Sequence, residues 1–213
     1  KNKKNNNVKL INIKMNASKK NDHIKSLKTI VKSFKKIDIL INGAGINSSV
    51  NFFEISEKNW KDVIDSQLTA TFFGCQVFGS HMVDNKKGVI INISSDLGII
   101  APDQRIYSQE GLPDEEQIVK PVSYSVVKHG VIGLTKYLAT YWVGKGIRAN
   151  VLCPGGIFSG QPDELVSELV TRIPMGRMAN QDEYQGAIQF LCSDASKYMN
   201  GAILAIDGGR TCW

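Results

Sequence analysis

Apolar residues along the 213-residue chain follow two patterns that alternate from its beginning to its end. In the first pattern they form short continuous runs, which are typical of strands buried on both faces. In the second they recur at steps of three and four residues, which predicts amphipathic helices. The runs predict strands at 8–15, 37–42, 88–94, 147–153 and 202–207. The periodic segments predict helices at 19–34, 57–83, 122–143, 163–172 and 181–193.

This alternation predicts an α/β fold with a doubly wound parallel sheet, because strands that alternate with helices place helices on both faces of such a sheet. No repeat, low-complexity linker or composition change interrupts the pattern, so residues 1–213 are expected to form a single domain. Ser18 and Ser56 stand where helix N-caps are expected. In such sheets ligands bind outside the carboxyl ends of the strands, and those ends carry the functional information.

The composition, 42% hydrophobic and 22% charged, is that of an ordinary globular protein. No apolar run is long enough to span a bilayer, and the first seven residues, KNKKNNN, have no apolar region of a secretory signal. The cysteines lie far apart without CxxC spacing, which indicates reduced thiols rather than a metal site or disulfides. We therefore expect a cytoplasmic protein with no metal and no membrane partner. The four cysteines are Cys75, Cys153, Cys192 and Cys212.

The net charge of +6 is unevenly distributed. Residues 1–36 contain 12 Lys and one Asp, a charge of +11, whereas the rest of the chain carries −5. A basic segment can bind nucleic acid, but these lysines alternate with apolar residues and are not interleaved with aromatic residues that stack on bases. The pattern favours a solvated helix face, and we expect no nucleic-acid partner.

Small or hydroxylated residues follow three of the predicted strands. Gly43-Ala44-Gly45, Ser95 and Pro154-Gly155-Gly156 come directly after the second, third and fourth strands. Glycine turns let a ligand approach the backbone. Tyr124 and Lys128 lie one helical turn apart at the start of a predicted helix, so their side chains share a face. Together these features predict a cleft at the carboxyl edge of the sheet.

Five motifs, in their order and spacing, resemble those of the short-chain dehydrogenase/reductase family: NGAG (42–45), NISS (92–95), YSVVK (124–128), RANVLCPGGI (148–157) and NGAILAIDGG (200–209). The resemblance covers nearly the whole chain and implies a Rossmann-type fold with NAD or NADP as cofactor. It implies that Tyr124 is the general acid/base of hydride transfer and that Ser95 holds the substrate oxygen. A cation one turn away favours the phenolate, so Lys128 is expected to lower the pKa of Tyr124.

The same resemblance implies a set of cofactor-binding residues. Lys128 would hydrogen-bond the nicotinamide ribose, and the backbone N–H of Ile157 would meet the carboxamide. Ser159 stands where a threonine commonly closes over the cofactor, and Asn16 stands where an aspartate is usual near the adenine. The full set is Asn16, Ala17, Asn42, Gly43, Ala44, Gly45, Tyr124, Lys128, Pro154, Gly155, Ile157 and Ser159.

The fourth catalytic position departs from the family pattern. The segment 60–74 matches the helix that carries an asparagine in the family, where it is thought to bind a relay water, but Gln67 stands there. Glutamine has the same amide on one more methylene, so a shifted relay is one interpretation. A damaged relay with slow turnover is the other.

A long segment between Ser95 and Tyr124 is a second departure. Twenty-eight residues separate the two, more than the family usually has, and the extra segment, 103–121, is expected to cover the substrate mouth. An acidic, polar lid favours a polar hydroxylated substrate, such as a sugar or sugar derivative, over a fatty-acyl carrier. A solvated loop with no part in specificity is the alternative. Its charged residues are Asp103, Glu110, Asp114, Glu115 and Glu116 against Arg105 and Lys120.

The third departure is the absence of the family's glycine-rich TGxxxGxG turn, which cradles the pyrophosphate. The chain starts where the family has its third strand. We expect about two βα units, on the order of 50 residues, to be missing, and this chain alone to bind a dinucleotide weakly. A natural short form that binds no dinucleotide is the other possibility.

Two classes of function remain open from the sequence. The first is an NAD(P)-dependent oxidoreductase that acts on a polar secondary alcohol or ketone. The second is a catalytically impaired relative that binds a ligand or partner. Ser95, Tyr124 and Lys128 favour the enzyme, whereas Gln67 and the absent glycine turn favour the second class.

The helices at 57–83 and 122–143 carry more apolar residues than one sheet face needs. In the family these helices pair across a two-fold axis, which implies a homodimer or homotetramer here. Trp213 at the end of the chain is expected to pack against a neighbouring subunit. The helix residues expected at this interface are Phe72, Phe73, Phe78, Met82, Leu138, Tyr141 and Trp142.

Overall fold

The computed structural model describes residues 8–213, leaving out the side chain of Asp114. Its centre is a parallel sheet in the order β1-β2-β3-β4. The sheet is in register at its carboxyl edge, where Asn42 pairs with Asn92 and Cys153 with Ala205. The strands are β1 (Ile39–Asn42), β2 (Gly88–Ile93), β3 (Ile147–Pro154) and β4 (Ile203–Ile206). Four of the five strands predicted from apolar runs are therefore confirmed.

Helices cover both faces of the sheet, as the alternating pattern predicts. They are α1 (Lys20–Phe34), α2 (Glu57–Ile64), α3 (Ala70–Asp84), α4 (Val122–Tyr141), α5 (Asp163–Val170) and α6 (Gln185–Cys192). On one face α3 and α4 bury Ile90 of β2 together with Ala149 of β3. On the other face α6 places Leu191 against Ile91 and Leu152. Consecutive strand residues thus enter opposite cores, which explains why the strands read as continuous apolar runs.

The predicted helix at 57–83 is divided by one π-helical turn, Asp65–Thr69. Ser56 caps α2 as predicted, because its hydroxyl accepts a hydrogen bond from the Asn59 amide at 3.1 Å. The π turn inserts a residue into the helical register between α2 and α3, and Gln67 lies inside it, buried. Such turns are frequent at functional sites.

The predicted strand at 8–15 and the Ser18 cap are both wrong. Residues 8–15 form no strand, and Val8 and Leu10 are exposed by 64% and 84%. A strand needs a neighbour for its backbone hydrogen bonds, and no strand of residues 8–213 lies beside this segment. The Ser18 hydroxyl donates to the Asn16 side chain instead, and α1 begins after Lys19 without a side-chain cap.

The apolar residues of α3 and α4 are mostly used within the chain. Trp142 packs so closely on Gly79 that a Cβ there would lie 2.5 Å from its ring. The expectation that all the listed residues lie on an interface is therefore wrong for the buried ones, Phe78, Met82, Leu138 and Trp142. Phe72, Tyr141 and Trp213 are exposed by 43%, 65% and 74%. Among residues 8–213, no helix is long and apolar enough to cross a membrane.

Candidate active site

A cavity of about 480 Å³ opens at the carboxyl ends of β2 and β3. Ser95, Tyr124 and Lys128, which the sequence predicts to act together, all line it. Pro154, Gly155 and Ile157 of the predicted cofactor set line it as well. The volume is in the range of small-molecule sites. The structure thus brings six of the predicted site residues into one cavity.

The start of α4 places the phenol and the ammonium. Pro121 precedes the helix, and the Tyr124 amide donates to its carbonyl at 3.1 Å, so Tyr124 lies in the first turn. The Lys128 ammonium lies 5.4 Å from the centre of the Tyr124 ring, on the same helix face as predicted. Ser94 fixes the helix to β2, because its hydroxyl donates to the Lys128 carbonyl at 2.7 Å.

Burial dominates the electrostatics of this pair. It raises the pKa of the Tyr124 phenol above its ordinary value; the Ser95 hydroxyl lowers that pKa in part, and Asp96 raises it further. Burial also lowers the pKa of Lys128 to about 8, and the nearby charge of Lys120 lowers it further. The expectation that Lys128 gives the phenol a lowered pKa is therefore wrong in this structure, because the loss of solvent opposes the phenolate more strongly.

A buried hydrogen-bond chain holds Ser95. Its hydroxyl donates to Asp96 at 2.7 Å, and the other carboxylate oxygen of Asp96 accepts from Arg210 at 2.8 Å. The side chains of Arg210 and Asp96 are only 6% and 4% exposed. A hydroxyl has one proton, so donation to Asp96 competes with donation to a substrate oxygen. The short-range orientation of Ser95 is thus set by residues far apart in the sequence.

A second cavity, of about 220 Å³, lies at the carboxyl end of β1. Ala17, Asn42, Gly43 and Ala44 of the predicted cofactor set line it. The Asn42 amide donates to the Asn92 side chain at 2.8 Å. Its polar atoms therefore tie neighbouring strands together as well as facing the cavity.

Gln67 and Gly45 pack against each other beside this turn. The Gln67 amide donates to the Ile46 carbonyl at 2.7 Å. A Cβ on Gly45 would lie 2.3 Å from Cγ of Gln67, so only glycine fits there. Gln67 does not line the cavity that holds Tyr124 and Lys128, and its relay role stays a prediction.

Two predicted cofactor residues line neither cavity. The Asn16 side chain accepts from the Ser18 amide at 3.0 Å and forms a turn before α1. The Ser159 amide donates to the Gln161 side chain at 2.7 Å, and Ser159 is exposed. Both have local structural roles here, and their contact with a cofactor stays a prediction.

The segment 103–121 covers the larger cavity, but the described acidic side chains do not face it. Asp103 pairs with Arg105 at 2.8 Å and with Arg172 at 3.3 Å. The glutamates at 110, 115 and 116 are exposed to solvent. The side chains of the segment that line the cavity are Tyr107 and Lys120. The expectation of an acidic lid over the substrate is therefore wrong in sign.

Sequence reasoning missed Asp96, Tyr107, Lys120 and Arg210, all of which line the cavity. Asp96 could have been found, since it directly follows Ser95 at a strand end. Arg210 could not, because nothing local in the ending GGRTCW shows that its side chain turns back to meet Asp96.

The residues present suit the nicotinamide end of a dinucleotide. Hydroxyl and ammonium donors face a cavity floored by the Pro154-Gly155-Gly156 turn, where small residues leave the backbone accessible. The pyrophosphate end differs, because the sequence has no glycine-rich turn between a strand and a helix N-terminus.

A parallel α/β sheet with a serine, a tyrosine and a lysine at its carboxyl edge defines a dehydrogenase-like class of protein. Residues 1–109 match the family model described as short chain dehydrogenase, and residues 113–211 match the one described as Enoyl-(Acyl carrier protein) reductase. The chain belongs to the short-chain dehydrogenase/reductase family.

Similar proteins include 2-dehydro-3-deoxy-D-gluconate 5-dehydrogenase of Bacillus subtilis (strain 168), 37% identical over 82% of this chain. This chain spans 65% of the length of that relative. A short chain dehydrogenase from Leptospira borgpetersenii with bound NAD+ superposes with a TM-score of 0.84 at 32% identity, over 92% of this chain and 74% of the other. A gluconate 5-dehydrogenase from Burkholderia cenocepacia, in complex with NADP and tartrate, gives 0.82 at 27% identity, over 93% and 74%.

Proposed function

We propose that the protein is an NAD(P)-dependent oxidoreductase that transfers a hydride between a nicotinamide cofactor and a polar secondary alcohol or ketone, with a sugar or sugar derivative as the substrate class. The observation that carries this proposal is the convergence of Ser95, Tyr124 and Lys128 on one cavity of about 480 Å³. The relatives named above support it, since their names describe dehydrogenases of hydroxylated acids and complexes with NAD+ or NADP.

The residues of the cavity have distinct roles in this proposal. The cofactor, when bound, accepts or supplies the hydride. Ser95 binds the substrate oxygen once its hydroxyl turns from Asp96. Tyr124 exchanges a proton with that oxygen, and its raised pKa keeps the phenol protonated at neutral pH, ready to donate to a carbonyl oxygen. Lys128, with a pKa of about 8, is largely protonated at pH 7 and can donate to the ribose hydroxyls.

Replacement of the phenol tests the proposal in the native full-length protein. Tyr124→Phe removes the proton donor while retaining the ring, so we expect kcat to fall by at least about 100-fold, the lower range for general acid/base catalysis. NAD(H) or NADP(H) affinity, measured by calorimetry, should change little. Tyr198→Phe, on a fully exposed tyrosine, is the matched control. Turnover by Tyr124→Phe at the native rate would refute the assignment.

We also propose a cytoplasmic homodimer or homotetramer. The exposed aromatic residues Phe72 on α3, Tyr141 on α4 and Trp213 near the C-terminus support it. Charged replacement of Phe72 or Tyr141 is the suitable test, because both side chains are exposed in the single chain. Light scattering should then report a smaller mass for the variants, and a native protein that is monomeric at micromolar concentration would refute the proposal.

A further inference from the structure

Lys120 occupies an unusual position in the candidate active site. Its ammonium lies 4.1 Å from the centre of the Tyr124 ring, closer than the ammonium of Lys128 at 5.4 Å. Its backbone is fixed by the Gln104 side chain, which accepts from the Lys120 amide and donates to the Lys120 carbonyl, both at 2.9 Å. The position of Lys120 is therefore built into the fold of the segment 103–121.

The Lys120 ammonium has no ion pair and no hydrogen bond among the residues that the structure describes. The side chain is half-buried, and burial lowers its pKa, with Asp96 opposing and Arg210 reinforcing the shift. A cation removed from water without a partner is unfavourable. A flexible lysine would normally extend to solvent, so its retention beside the phenol suggests that the missing partner is a ligand.

The cavity has a surplus of positive charge. Its charged lining residues are the cations Lys120, Lys128 and Arg210 and a single carboxylate, Asp96. Asp96 is already paired with Arg210 at 2.8 Å. Asp103 is neutralised by two arginines. Two positive charges thus remain in a site of restricted solvent access, which attracts an anion.

We propose that Lys120 binds an anionic group of the substrate, a carboxylate or a phosphate, so that the substrate is an anionic hydroxylated molecule rather than a neutral polyol. This inference rests on the proposed function for the word substrate, but the binding itself does not. Of the two ammonium groups, Lys128 serves the ribose in the proposed mechanism, which leaves Lys120 for the second anion. The tartrate named in the Burkholderia cenocepacia complex is a dicarboxylate of this class.

Binding measurements on the native full-length protein test the proposal directly. D-gluconate, D-glucitol 6-phosphate and neutral D-glucitol differ in their anionic group, and calorimetry in the presence of saturating NADH or NADPH compares them. We expect the preferred anion to bind at least about 10-fold more tightly than D-glucitol, and the two anionic arms distinguish carboxylate from phosphate. A charge-assisted hydrogen bond accounts for a difference of about 10- to 100-fold.

Substitution of the lysine supplies the second arm. Lys120→Gln should weaken binding of the preferred anion about 10- to 100-fold while leaving D-glucitol within about 2-fold. Lys120→Arg should retain most of the affinity, since it keeps the charge, and Lys145→Gln, on an exposed lysine away from the cavity, should change nothing. Equal losses for charged and neutral ligands, or no preference of the native protein for either anion at millimolar concentration, would overturn the inference.

Turnover measurements separate this inference from the proposed function. Loss of hydride transfer on every compound, with Lys120-dependent anion binding intact, would refute the enzyme and keep the anion site. Turnover of D-glucitol with a kcat/KM equal to that of both anions would keep the enzyme and refute the anion site.

Discussion

The two ends of the sheet's carboxyl edge use their polar side chains differently. In the cavity beside β2 and β3, the polar ends of Tyr124, Lys128 and Lys120 face open space. At the turn after β1, the amides of Asn42 and Gln67 are engaged with the protein itself, at 2.8 Å and 2.7 Å. One end presents side chains for chemistry, whereas the other holds a backbone turn in shape.

This difference teaches which kind of substitution each end tolerates. Where side chains perform the chemistry, removal of a charge changes ligand binding and proton transfer. Where side chains support a turn, an added methyl group is enough to move it, because protein interiors are close-packed. The predictions below test each end, beginning with the largest expected effect.

The largest effect concerns the buried pair that supports Ser95. Asp96→Asn leaves the Arg210 guanidinium without its charged partner in a site where both side chains are nearly inaccessible. Breaking such a pair costs about 3–5 kcal/mol of the free energy of unfolding, which urea denaturation measures. Asp38→Asn, in the exposed pair with Lys36 at 2.8 Å, should cost less than about 1 kcal/mol.

A double-mutant cycle sharpens this prediction. Asp96→Asn combined with Arg210→Met removes both members of the pair and should recover part of the loss, because no buried charge remains. A loss below about 1 kcal/mol for Asp96→Asn alone would show that the pair does not hold Ser95 in place.

The sequence predicts the interior of this fold better than its margins. β2, β3 and the start of α4 at Val122 agree with the apolar runs and with Pro121, because local sequence and burial there favour the same structure. The segment 8–15 has an equally good apolar run but forms no strand. Pairing depends on a neighbouring strand, which a local pattern does not report.

The candidate site shows the same division. The positions of Ser95, Tyr124 and Lys128 follow from strand ends and helical spacing, which are local properties. The roles of Lys120 and Arg210 depend on where the segment 103–121 and the chain terminus pack. The acidic composition of that segment therefore gave a wrong prediction of its inner face, since its described glutamates are exposed.

The second prediction tests the turn after β1. Gly45→Ala would place a methyl group 2.3 Å from Cγ of Gln67, which must move and lose its bond to Ile46. Overpacking of this kind costs about 1–3 kcal/mol. Gly43→Ala is the matched control, because its Cβ would meet Ile93 at 3.5 Å, an ordinary contact. Urea denaturation compares them, Gln67→Ala should rescue Gly45→Ala, and equal stability of the two alanine variants would contradict the packing argument.

The smallest effect concerns the stability cost of keeping Lys128 in the catalytic cavity. Its pKa is lowered from 10.5 to about 8 in the folded protein. Below pH 8 the ammonium is charged in both folded and unfolded chains, and its burial destabilises the fold in full. Between pH 8 and 10.5 the unfolded chain binds more protons than the folded one, so this group makes the free energy of unfolding rise with pH.

Lys128→Met removes that contribution and reverses the cost. At pH 7 we expect the variant to be more stable than the native protein by about 1 kcal/mol, after allowance for solvent screening. The difference should shrink as the pH rises from 8 to 10, because the native protein then carries a neutral amine at this position. Lys145→Met, on an exposed lysine, should show no such pH dependence. A difference between the native protein and Lys128→Met that stays constant from pH 7 to pH 10 would mean that Lys128 keeps its ordinary pKa, and the catalytic cavity would then be as well solvated as the surface.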